Sequence, residues 1–228
     1  MKTTNMKTGI KTLCMGALTA LIAVQTSALL RAEDAKLTRY EAVPNASKMR
    51  IDGTAEVMLA TKNWHMDSSL IGGFLEVDAK FPESALTDAK AAKPTASAYM
   101  PVRSFKSDNG DAMDRRMQKE MKETQFKRVE YKLIELKPAS PAGSTGALKF
   151  DATGTITAIG KTSTNTMPVT IEKLADGKLK INGVAKVKMT DFGLKPPSTL
   201  GLFNSRDEVS LTFEWVTAPK KDDAPKAQ

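Results

Sequence analysis

The chain is poor in the residues that do most enzyme chemistry. It has one cysteine, Cys14, and one histidine, His65. A zinc cluster of cysteines and histidines and a disulfide framework are therefore excluded, and a Cys-His mechanism would need Cys14 itself. A Ser-His-Asp arrangement could be built only on His65. There is no Gly-x-Ser-x-Gly turn and no phosphate-cradling loop of the GxGxxG or GxxxxGK[ST] kind. Asp191-Phe192-Gly193 matches a kinase magnesium tripeptide but stands alone, with no catalytic loop and no glycine-rich loop. His65, beside Trp64, is more economically a surface or mouth residue than a catalyst. The chain also lacks a second long apolar run beyond its start.

That start is itself informative. Lys2, Lys7 and Lys11 precede an apolar stretch from Leu13 to Val24, and small and polar residues follow. This order describes a secretory signal peptide. A membrane-spanning helix needs about 20 mostly apolar residues, a length reached here only by including Thr19, Gln25, Thr26 and Ser27. Cleavage after Ala28 or after Ala32 satisfies the small-residue rule, so the mature protein is expected to be periplasmic or secreted. Cys14 opens the apolar core rather than following it, which argues against lipid attachment.

Removal of residues 1–32 takes away the only cysteine and four basic residues, and no acidic one. The basic count falls from 34 to 30 against 26 acidic residues, and the formal charge from +8 to +4. Half of the basic excess belongs to the export signal, so a nucleic-acid partner is not expected.

Four segments are expected: a signal peptide at 1–32, an N-terminal extension at 33–46, one domain at 47–218 and a charged, Pro-bearing tail at 219–228. Residues 83–97 read as a short helix or a long loop, and 137–147 as a Pro/Gly/Ser loop. Elsewhere period two dominates. Val129, Tyr131 and Leu133 alternate with Glu130 and Lys132; Leu148, Phe150, Ala152 and Gly154 alternate with Lys149, Asp151 and Thr153. Leu179, Ile181, Gly183, Ala185, Val187 and Met189 share one parity, as do Val209, Leu211, Phe213 and Trp215, and Ile71, Gly73, Leu75 and Val77. Such spacing turns one face inward and one to water. Asp176-Gly177 marks a hairpin. The pattern predicts an all-β antiparallel sheet that sandwiches or closes on itself.

Residues 111–123 break the pattern. Met113, Met117 and Met121 recur at helical spacing, Asp111 can cap the start, and Asp114 suits the first turn. The methionine stripe is expected to pack on the sheet or close a barrel mouth. A soft-metal site would be expected to recruit histidine or cysteine as well, and no metal site is expected. With catalysis unsupported, the apolar interior has two uses: a solid core, or a cavity for an apolar ligand. Alternation alone leaves both open, and flexible methionines suit either.

From about Ser47 to Val216 the chain resembles the YceI-like family of lipid- or polyisoprenoid-binding domains. Ile51-Asp52-Gly53-Thr54 resembles its first strand, and Trp64 followed by Ile71–Val77 its tryptophan and second strand. Met100–Ser107 is similar to its I-P-V-x-S-L-x-S stretch, and Met113 through Phe126 to its short helix. Gly154–Gly160 resembles G-x-L-T-I-x-G. Lys188–Pro197 is similar to K-M-T-D-F-x-I-x-P-P, the most specific motif, and Arg206–Val209 resembles the turn before the last strand. The chain departs from the family at Lys62, where a histidine is common, at Lys127-Arg128-Val129, which replaces Pro-x-Ile, and in four extra residues between Gly53 and the tryptophan.

The resemblance implies a lipocalin-like antiparallel barrel, with the short amphipathic helix, around an isoprenoid-type chain. It implies a non-catalytic carrier or sequestering protein with no cofactor beyond a bound isoprenoid lipid or quinone. The partner would be an apolar lipid, with transient membrane contact. Trp64, Leu75, Tyr131, Phe150, Ile156, Ile181, Met189, Phe192, Leu211 and Phe213 are the candidate residues of the apolar channel, with Phe150, Tyr131, Ile181, Met189, Leu211 and Phe213 sharing the inward parity of their strands. The alternative is a structural or interaction domain with a filled core.

Overall fold

The alternating segments pair edge to edge until the first meets the last. In the structure, a computed structural model, residues 37–220 are described apart from 59, 93, 109 and 200–202. The strands are β1 (Thr38–Ala42), β2 (Lys48–Val57), β3 (Ala60–Ser68), β4 (Gly72–Val77), β5 (Thr95–Pro101), β6 (Lys106–Ser107), β7 (Arg128–Pro138), β8 (Leu148–Ala158), β9 (Lys161–Lys173), β10 (Leu179–Lys188), β11 (Ser198–Thr199) and β12 (Phe203–Pro219). Neighbours around the ring run β1-β4-β5-β7-β8-β9-β10-β12, and pairing of β12 with β1 closes an antiparallel barrel of 8 strands. Closure removes the exposed edges an open sheet would carry.

β12 carries two partners along one edge. Its end pairs with β1, with Tyr40 opposite Pro219 and Ala42 opposite Thr217. Its first two thirds pair with β2, from Phe203 opposite Val57 to Glu214 opposite Lys48. β3 then lies against β2, and β6 against β3 at Met66 and Asp67. The chain reaches β6 from β5 through the short helical turn Val102–Ser104. The barrel thus begins at Thr38, inside the segment read from sequence as an extension, and the strand holding Ile51–Thr54 is the second of the chain rather than the first. At the other end Pro219 still belongs to β12, and the Lys220 N–H donates to the Arg39 carbonyl. Residues 1–32, expected from the sequence to be a signal peptide, and residues 221–228 lie outside the described residues.

Inward parity follows the sequence along most strands. In β8, Leu148, Phe150, Ala152, Ile156 and Ala158 are all buried. β10 and β12 bring Ile181 opposite Trp215, Gly183 opposite Phe213 and Ala185 opposite Leu211. Asp176 and Gly177 make the β9–β10 turn, closed by the Gly177 N–H donating to the Leu174 carbonyl at 2.9 Å. Parity fails where a strand bulges. In β7 Ile134 keeps the outward parity (62% exposed), and the register shift between Leu133 and Glu135 then puts Leu136 rather than Glu135 inside, at 5%. In β12 a second shift spans Ser205 to Val209. Arg206–Val209, expected as a turn, is this bulge within one continuous strand.

Among the described residues there are three short α-helices: α1 (Glu83–Thr87), α2 (Ala89–Ala92) and α3 (Asp111–Glu120). The segment 83–97 is therefore two helical turns followed by the start of β5. Ahead of α1, Phe81 enters the barrel end and stacks on Phe150, with centroids 6.5 Å apart and planes at 16°. Phe81, Phe150, Leu148 and Leu179 are each at most 2% exposed and form a solid floor.

Candidate functional site

Above that floor the barrel is not filled. The inward residues of β4, β5 and β7–β10 with those of β12 leave an inner chamber of about 100 Å³. Above it an outer chamber of about 170 Å³ extends beneath α3. The chambers share the walls Met49, Met100, Val129, Ile156 and Leu211, so they adjoin. Among the described residues, Tyr131 is the only titratable side chain lining the inner chamber, and burial pushes its phenol up to about 12. Its ring lies across Gly154, where any Cβ would collide with it. Its hydroxyl and the Trp215 indole N–H are both buried without a hydrogen-bond partner among the described residues.

The outer chamber is lined by seven methionines: Met49, Met66, Met100, Met113, Met117, Met121 and Met189. The helix stripe anticipated in the sequence thus meets four further thioethers supplied by β2, β3, β5 and the helical turn Met189–Phe192. Thioether side chains are unbranched and polarizable, so such a wall adapts to the shape it encloses. Trp64 closes one side, its indole N–H donating to Ser205 Oγ at 3.2 Å.

α3 is fastened over this chamber by polar contacts at its start. Asp114, 4% exposed, accepts the Ser107 N–H at 2.7 Å and pairs with Lys106 Nζ at 3.0 Å. The Ser107 N–H, with Lys106 adding to it, holds the Asp114 carboxyl below the usual carboxylate range. The N-cap is Gly110 with no side-chain cap, so the cap expected of Asp111 does not form; both acids instead occupy the first turn, where the helix N-terminus favours negative charge. Behind α3, Glu123 is 7% exposed and pairs with Arg103 at 3.0 Å and Lys127 at 3.5 Å.

Opposite α3, the 3₁₀ turn Met189–Phe192 departs from the β10 parity that the sequence extends through Met189. The β12 bulge presents Asp207 to it: the Thr190 N–H and hydroxyl donate to its carboxylate at 2.9 and 2.6 Å. The Thr190 hydroxyl is the main cause of the lowered pKa of Asp207. This clasp sets Met189 and Phe192 against the chamber.

Of the residues singled out in sequence, Leu75, Tyr131, Ile181 and Phe213 line the inner chamber, Trp64, Met189 and Phe192 the outer, and Ile156 and Leu211 both. Phe150 lines neither, being spent on the floor against Phe81. Sequence reasoning missed Met100, Leu136 and Met167 as lining. Met167 and Met100 had a legible signal, since Met167-Val169-Ile171 and Ala96-Ala98-Met100 both alternate. Leu136 had none, because the bulge inverts its parity. His65 stands outside both chambers, 3.5 Å from carboxylate oxygens of Asp67 and Asp108.

A closed antiparallel barrel with a floor, an apolar interior and a helix over its mouth defines the lipocalin-like class of barrel domains. The chain belongs to the YceI-like domain family, whose model matches residues 40–217. Among solved structures it is similar to BcnA of Burkholderia cenocepacia, at 21% identity and a TM-score of 0.55, over 78% of this chain and 99% of that one. It is also similar to a polyisoprenoid-binding domain from Saccharophagus degradans implicated in plant cell wall breakdown, at 11% identity and a TM-score of 0.59, over 81% and 99%. At these identities the likenesses concern the fold. No curated protein matches the chain.

Proposed function

We propose that this protein is an exported, non-catalytic carrier or sequestering protein that holds a long apolar chain of isoprenoid type in its barrel. The observation that carries this reading is the pair of adjoining chambers, lined by hydrocarbon and thioether groups above a solid floor. Apolar surface of that kind gains about 0.8 kcal/mol per CH₂ buried. It offers an inner ligand no charged anchor. Membership of the YceI-like family and the shared fold of the polyisoprenoid-binding domain from Saccharophagus degradans point the same way.

A dry apolar cavity of about 150 Å³ accepts a six-carbon ring. The two chambers as they stand therefore hold only a short stretch of chain, and a longer tail must displace methionine side chains of the outer wall. Trp64, Tyr131, Met189 and Phe213 are proposed to contact it. Native mass spectrometry of protein taken from the exported fraction, followed by organic extraction, tests this. A co-purifying isoprenoid lipid or quinone is expected; an empty protein that takes up no added isoprenoid would leave the structural-domain alternative.

A further inference from the structure

Both ends of the barrel carry positive charges. At the floor end, Lys137, Lys178, Lys180 and Lys220 pair with Glu135, Asp176, Glu172 and Glu41 at 3.2, 2.6, 3.0 and 3.7 Å, while Lys80, Lys149 and Lys173 are exposed and form no ion pair among the described residues. At the mouth, Arg115 and Lys119 stand at i, i+4 on the face of α3 turned away from its methionines, and Lys122 follows just past the helix end. Lys161 and Lys195 are exposed beside the helical turn across the opening, the Lys161 ammonium lying near Gly193 and Lys195 lining the outer chamber. None of these five cations forms an ion pair among the described residues. The exposed carboxylates nearby, Asp111, Glu120 and Asp191, are fewer. Beyond them the β2–β3 hairpin carries Met58, 75% exposed, one residue past the pairing of Val57 with Phe203.

Like charges gathered without ion-pair partners repel one another, and the five at the mouth stand beside the outer chamber, where an anionic surface can offset them. We propose that the mouth end of the barrel docks on an anionic lipid bilayer. The cations meet the negative surface potential, and Met58 enters the boundary between headgroups and acyl chains. Docking in this pose turns the outer chamber toward a hydrocarbon phase, from which an apolar ligand can pass without crossing water. That purpose rests on the lipid-holding reading, whereas the docking is measured apart from it.

The mature chain is floated with vesicles of phosphatidylcholine and with vesicles of phosphatidylcholine containing phosphatidylglycerol. Association with the anionic vesicles alone is expected, weakening as salt is raised. Each charge near such a surface contributes about fivefold in partition, so R115Q/K119Q/K122Q should lower it on the order of 100-fold. K161Q/K195Q, which leaves α3 untouched, should lower it more than about 10-fold and keeps the test open if the triple variant does not fold. K137Q/K178Q at the floor should change nothing. Absence of association with anionic vesicles, equal loss in the floor variant, or mouth cations that instead retain an acidic protein in the presence of such vesicles would overturn the proposal. Vesicle association by protein that yields no isoprenoid would leave docking standing while removing the carrier reading; isoprenoid without association would do the reverse.

Discussion

Trp64 occupies the place that a side chain on Gly53 would need. The two residues sit opposite each other on β3 and β2, and a Cβ added to Gly53 would fall within the indole ring. The absence of a side chain at one position thus lets the largest side chain at the other lie flat against the barrel wall and reach Ser205.

Gly53→Ala should therefore displace Trp64 rather than be absorbed. The overpacking should cost roughly 1–3 kcal/mol, read as a lowered midpoint of thermal or urea unfolding. Loss of the Ser205 bond should also move Trp64 toward water, seen as a red shift in fluorescence, with Trp215 as the unchanged reference. An unaltered spectrum and stability would mean that the ring does not lie where the structure places it.

Ala152 lines the inner chamber opposite Leu136 and Met167. In a filled core Ala152→Phe would cost roughly 1–3 kcal/mol. Here the ring can enter the chamber, so stability should change little while extractable isoprenoid falls. Lys149→Ala, on the outward parity of the same strand, should keep the lipid. Unfolding of Ala152→Phe together with a lipid-free wild type would establish a solid core.

Asp114 ties the helix over the mouth to a pH window. Its folded pKa lies below the ordinary carboxylate value, so its contribution is complete above about pH 4, near the unfolded value, and is lost as pH falls through the folded value. Removing this buried charge-assisted contact should cost about 1–3 kcal/mol. Asp114→Asn should thus be less stable at neutral pH and converge on the wild type in acid. Unfolding midpoints of both proteins across the acid range check this; parallel curves would separate Asp114 from the acid sensitivity.

The export segment is open to a direct measurement. Intact mass of the protein in its native compartment should begin at Leu29 or Glu33. A mature chain that still carries Met1 and sits in the membrane would defeat the export reading and restore the larger positive charge.

The amino-acid pattern by itself determined the fold class, because alternation of period two is a local property that survives any arrangement of neighbours. It determined which faces of β8, β10 and most of β12 turn inward, and that Met113 and Met117 share a helix face. Nine of the ten residues named as channel candidates line one chamber or the other, Trp64 and Phe192 among them without any parity signal of their own. What it could not carry is anything set by distant partners. The bulge at Ile134 arises where β7 and β8 fall out of step, and it alone decides that Leu136 points in. Strand β1 is too short to announce itself and exists because β4 and β12 leave it an opening at the closing seam. Phe150 has the same parity as Ala152, yet one is buried under Phe81 and the other borders empty space. That difference comes from a side chain 69 positions away in the chain, and only tertiary packing brings it there.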